Sequence, residues 1–208
     1  MKNPFNSFKK KIMKRYLKII ILVTTVIVVL VVTNYKTMLL WYFDIKEPKV
    51  ESCETIKKYL KNKNWDFGQT FIFKDSLLLS EYFKKNPNIP DAKFFNNERK
   101  FINYKETPES CNAGVKYFLK SLDSTKKSNK FSRTLEEELL GVVNCSTFKS
   151  ISVDSLKYDY YVVFYWAKFI GDLNKTKVFD WKIHIDNLNK DKPGTIKAIY
   201  VNCDSQKF

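Results

Sequence analysis

The feature that most restricts this chain is an apolar run from Leu17 to Thr33, unbroken from Ile19 to Val32 except by Thr24 and Thr25. A helix rises about 1.5 Å per residue, so roughly 20 apolar residues cross the hydrocarbon core of a bilayer. The run is slightly short for that. Its threonines are tolerated because their hydroxyls can bond back to the helix backbone. Tyr16 and Tyr35 bracket it as interfacial residues do, and Lys18 and Lys36 can reach outward to water. The expectation is a spanning helix over 17–36 behind a basic arm at 1–16. The second apolar patch, Met38 to Phe43, is too short to span and is expected at the outer interface.

Charge orients that helix. Residues 1–33 hold Lys2, Lys9, Lys10, Lys11, Lys14, Arg15 and Lys18 and no acid, whereas the far flank offers only Lys36 and Lys46 nearby. The positive-inside bias therefore keeps the N-terminus in the cytoplasm and exports the rest. Val31, Val32 and Thr33 before Asn34 are a poor cleavage site, so the segment reads as an uncleaved anchor in the inner (cytoplasmic) membrane. The formal charge of +15 is divided accordingly: without those seven residues, 30 basic stand against 22 acidic. Half of the excess thus belongs to a topology signal that also attracts anionic headgroups. With no base-reading motif present, nucleic acid is not an expected partner; membrane lipid is, through the anchor.

The segment 37–51, with Pro48, reads as a stalk and 52–208 as one exported domain of ordinary size. All four cysteines (Cys53, Cys111, Cys145 and Cys203) lie in it. Export favours oxidation, and four cysteines leave three connectivities open. No C-x-x-C pair occurs and His184 is the lone histidine, so neither a zinc site nor any other cofactor is expected.

Periodicity fills in the domain. Ser52 should cap a helix to about Asn62, Phe71–Phe73 a strand, and Asp75 or Ser76 a helix ended by Pro87 and Pro90. Ala92–Phe95 and Lys100–Tyr104 flank a polar turn and predict a hairpin. Thr107–Pro108–Glu109 opens a helix through Leu122 whose stripe of Cys111, Val115, Phe118, Leu119 and Leu122 should face the core. Glu136, Glu137 and Glu138 follow Thr134 and read as a solvated helix start, because consecutive helical residues diverge by about 100°. Tyr160–Trp166 is a continuous aromatic and β-branched run, expected as a central strand buried on both faces. The stripe Val178, Trp181, Ile185, Leu188 and then Thr195–Val201 complete a βαβ unit, with His184 half-exposed beside the stripe.

These residues resemble the thioredoxin superfamily. Val162–Phe169 (VVFYWAKF) is similar to the strand that runs into F-W-A-x-W before the redox motif, and Tyr200–Asp204 (YVNCD) to the end of the next strand. Earlier in the chain, Asn88–Asn97 (NIPDAKFFNN) resembles the G-I-P-T segment, where an isoleucine–proline bond is cis and opens a hairpin. Asp91 stands where the family has threonine, and Glu98 where it has the turn glycine. The halves come in swapped order, so either the domain is circularly permuted or one match is accidental. The whole also looks like membrane-anchored thioredoxin-like proteins of the Bacteroidetes type. What the resemblance implies is an α/β domain with a mixed sheet and helices on both faces.

It also implies which chemistry is missing. Where the family carries C-G-P-C, this chain has Ile170, Gly171, Asp172 and Leu173, and an isoleucine cannot exchange disulfides. No catalytic residue is expected. Pro90, Trp166, Phe169, Ile170, Gly171 and Leu173 become the candidate surface for a peptide or an envelope protein, by analogy with substrate pairing beside the family's proline. The alternative is a thiol–disulfide enzyme using other cysteines, Cys203 first.

Overall fold

The computed structural model describes residues 4–105, 114–122, 133–153 and 157–207, and for 4–12 and 14 the backbone alone. The Thr107–Pro108–Glu109 helix start, Cys111 and the polar, lysine-rich stretch 124–130 lie outside the described residues. The chain divides into two compact units, Met1–Tyr42 and Phe43–Phe208.

The first unit is a single helix, α1 (Pro4–Tyr42). Within it Arg15–Tyr42 is long and apolar enough to cross a membrane. Thr24 and Thr25 donate to the carbonyls of Ile20 and Ile21 at 2.9 and 2.8 Å, which satisfies their hydroxyls inside an apolar stretch. The helix does not stop at residue 36. Met38–Tyr42 continue it, so the apolar patch expected as a separate interfacial segment is its last turn and the stalk is correspondingly shorter. Nothing between Asn34 and Met38 breaks a helix: there is no proline or glycine there.

The second unit is an α/β sandwich. In chain order it runs α2 (Cys53–Asn62), β1 (Thr70–Phe73), α3 (Ser76–Lys85), β2 (Asp91–Asn96), β3 (Phe101–Ile102), α4 (Gly114–Lys120), α5 (Leu135–Glu138), β4 (Val142–Asn144), β5 (Tyr160–Trp166), α6 (Asp180–Asp191) and β6 (Ile196–Asn202). Local chemistry sets the boundaries as expected. Ser52 and Thr55 form a reciprocal capping box on α2, and the Asp75 carboxylate accepts from Leu78 N–H on α3. The three-residue strand β4 has no sequence signal of its own, because three residues are too few to show a period.

Six strands form one mixed sheet in the order β3-β2-β5-β6-β1-β4. β5 runs parallel to β6 over all seven residues and antiparallel to β2, with Asp91 opposite Tyr165 and Asn96 opposite Tyr160. Alternation then divides β5 between two cores. Val162, Phe164 and Trp166 pack with Ile56 and Leu60 of α2, Phe118 of α4 and Trp181 and Ile185 of α6. Tyr161, Val163 and Tyr165 pack on the other face with Leu79 and Tyr82 of α3 and Leu135 of α5. A fully buried side chain of this size contributes about 1.5–3 kcal/mol, so the central strand carries a large share of the domain's cohesion.

Candidate functional site

The candidate surface is built at the end of the sheet where β5 and β6 finish. The Cys203 N–H donates to Trp166 O at 2.7 Å, closing the two strands together. Since β2 begins at Asp91 opposite Tyr165, the turn carrying the cis Ile89–Pro90 bond and the loop Ala167–Leu173 share this end, although they lie about 80 residues apart. Ile89, Phe169 and Leu173 pack on the same apolar cluster that contains Ile170.

The two segments come together, but they do not present an open surface. Trp166 is wholly buried, stacked on Tyr59 at 6.2 Å and edge-on to Phe67 at 5.4 Å. Pro90, Ile170 and Gly171 are buried, and Phe169 and Leu173 are half-buried. Four of the six expected contact residues are therefore interior. The cover is the chain's own stalk. Asp172 N–H donates to Phe43 O at 2.7 Å, and Lys46 N–H to Phe169 O at 2.8 Å. Gly171 is required by this crossing. Its φ is +56° and ψ −128°, and a Cβ there would stand 2.3 Å from both the Phe43 and Asp44 carbonyl oxygens.

Polar groups fasten the same end. The Lys168 ammonium holds both oxygens of the buried Glu51 at 2.7 and 2.8 Å, and Thr55 donates to Glu51 at 2.6 Å. Burial pushes the Glu51 carboxyl up, but the Lys168 and Thr55 hydrogen bonds together with the charges of Lys168 and Lys49 hold the group below its ordinary value. Asp204, also buried, accepts from the Lys168 N–H at 2.6 Å and from the Asn202 amide at 2.8 Å. Burial dominates there and raises its pKa despite those bonds. Asn174, fully buried, donates to Ala167 O at 2.8 Å and Gly171 O at 3.1 Å, pinning the loop from beneath. Spacing gave no hint of this network, because its members are brought together from residues 51, 168, 174 and 202–206.

A second polar cluster overturns the reading of the acidic triplet. α5 has a capping box between Thr134 and Glu137, as the N-cap predicts, yet Glu138 is not solvated. It is buried, paired with Lys93 at 2.8 Å and Arg133 at 3.0 Å, and it accepts a hydrogen bond from the Tyr165 hydroxyl. The helix is only four residues long, so Glu138 is already in its last turn and points at the sheet. The Lys93 ammonium lies 5.1 Å above the Tyr82 ring and 5.3 Å above that of Tyr165. Burial drives both tyrosine hydroxyls well above their usual pKa.

Of the four cysteines, Cys53 and Cys145 form a disulfide. Cys203 takes no part in one. It is a free, buried thiol whose pKa burial raises strongly, with the Asp204 charge adding to the effect. An attacking thiol needs the opposite environment, exposed and electropositive. His184 is half-exposed beside the α6 stripe, as expected. What this end of the domain does chemically is fasten one segment to another. Its buried acids, Glu51 and Asp204, are already hydrogen-bonded within the protein. No protein-family model, curated protein or solved structure matches this chain.

Proposed function

We propose that this chain is a membrane-tethered, non-catalytic thioredoxin-like module that binds an exported peptide or another envelope protein on the outer side of the cytoplasmic membrane. The observation that carries this reading is the loop Ile170–Leu173. It follows the central strand where a redox helix would begin, has no nucleophile, and lies under the stalk's backbone. The order β3-β2-β5-β6 supports the likeness: a parallel β5–α6–β6 unit has an antiparallel hairpin beside β5, with the hairpin earlier in the chain, as a permuted domain requires. The basic residues in the first turns of α1, Lys9 to Lys18, support an N-in orientation.

Two measurements test it. The full chain in detergent should fail to reduce insulin disulfides; robust turnover that disappears in Cys203→Ser would establish the thiol enzyme instead. A reporter active only in the cytoplasm should be silent when fused after Phe208, and activity there would reverse the topology.

A further inference from the structure

The opposite end of the sheet is built differently. In a parallel ladder the N–H and C=O of one residue point to the same neighbour, and successive residues alternate sides. At the two ends of β6, Thr195 O accepts from Tyr160 N–H and Cys203 N–H donates to Trp166 O, so odd-numbered residues face β5. Ile196, Ala198, Tyr200 and Asn202 therefore face the β1 edge. β1 covers only part of it, because its pairing begins at Thr70 opposite Tyr200 and ends at Ile72 opposite Asn202. Ile196 is served by a side chain: its N–H donates to Asn189 Oδ1 at 3.0 Å, and Asn189 Nδ2 donates to Ile196 O at 2.9 Å. Ala198 falls between the two and faces no strand.

That gap opens on a groove of about 560 Å³, with Ala198 among its lining residues. Gln69, Asn144, Ser150 and Ser152 add amides and hydroxyls, and Lys149 and Lys197 add two positive charges. None of the described lining residues is acidic. Neither lysine pairs with a carboxylate among the described residues. On the rim loop, between Thr147 and Lys149, Phe148 is 58% exposed at φ +54°, an aromatic held out in a left-handed conformation.

We infer that this groove binds an extended, acidic peptide segment, one residue of which pairs with the Ala198 edge while its carboxylates meet Lys149 and Lys197. An exposed strand edge supplies main-chain hydrogen bonds to any extended chain, and the flanking charges select which chain. The inference rests on the reading of the domain as a binding module and puts the binding at the end away from the stalk.

The test uses the full chain in detergent micelles and a fluorescein-labelled peptide alternating valine and glutamate, read by fluorescence anisotropy. The peptide should bind saturably. Methylating alternate backbone amides in the register that faces Ala198, or exchanging glutamate for lysine, should weaken it about tenfold or more. The double variant Lys149→Glu/Lys197→Glu, confined to groove side chains that are at least partly exposed, should weaken the glutamate peptide about tenfold and favour the lysine peptide. No binding by the glutamate peptide overturns the inference. So does binding that survives both amide-methylation registers or the charge reversal, since attraction to the basic arm alone would behave that way. Insulin reduction is measured separately, so failure here leaves the non-catalytic reading standing, and reductase activity leaves the groove standing.

Discussion

The two ends of the sheet use the same strands to opposite effect. Where β5 and β6 finish, the stalk crosses the loop after β5, main-chain bonds fix it, and four of the six residues expected to meet a partner are interior. Where β1 begins, its ladder stops short of Ala198 and leaves a groove. Gly171 and Gly68 mark the contrast. Their φ values are similar, +56° and +64°, but a Cβ at 171 would collide with two carbonyl oxygens at 2.3 Å, whereas at 68 nothing lies within 4 Å. Accessibility here depends on which segments the chain itself lays across a strand end, and the motif at that end does not decide it.

The largest expected effect concerns the groove end. Cys53–Cys145 closes a separation of 92 residues and ties α2 to the chain just after β4, beside the groove residue Asn144. In the chain-entropy treatment such a bridge is worth about 4–5 kcal/mol. Urea unfolding with and without reductant should show a loss of that order; a loss below about 1 kcal/mol would mean that the unfolded chain is already ordered there.

At the stalk-covered end, Gly171→Ala should destabilise the domain by about 3–5 kcal/mol, combining a backbone conformation closed to L-residues with overpacking against backbone that cannot turn aside. A cost under about 1 kcal/mol would show that the stalk crossing is loose, and the contrast between the ends would fail.

Asp204→Asn should cost about 1–3 kcal/mol, because the amide oxygen can take the place only of Oδ2, which accepts from Lys168 N–H and Asn202 Nδ2, and leaves an NH2 facing the Phe169 N–H that Oδ1 accepts from. It should also change the pH profile. The raised pKa of Asp204 means its contribution is full below the unfolded value and lost as pH rises through the folded one; Glu51, lowered, contributes above its unfolded value and loses that as pH falls through its folded one. The variant should therefore remove the loss of stability seen as pH rises from the unfolded carboxylate value through the raised folded value of Asp204, and leave the loss on acidification due to Glu51, measured as the urea midpoint against pH. A profile unchanged in that upward window would contradict the assignment.

Gly68→Ala is the smallest, about 1 kcal/mol, from its left-handed backbone alone. Equal losses at 68 and 171 would erase the difference between the two ends.

The sequence by itself determined what depends on neighbours along the chain. Caps at Ser52, Asp75 and Thr134, the apolar helix and the both-faces-buried strand Tyr160–Trp166 all follow from local hydrogen bonding and side-chain period, which a linear reading contains. The parallel pairing of Tyr160–Trp166 with the final strand was legible because a short strand–helix–strand unit crosses over to a parallel neighbour, whereas its antiparallel pairing with the distant Ala92 strand was implied only by the thioredoxin resemblance. Only the tertiary structure decided what depends on residues far apart in sequence. Glu138 became a buried partner of Lys93 because a short helix turned it onto the sheet. Ile170 and Gly171 became interior because residues 43–46 cross them. Ala198 was left facing a groove because β1 starts two residues too late to cover it. Charge, apolarity and capping are properties of residue types, whereas burial and strand-edge pairing are properties of what the rest of the chain places alongside.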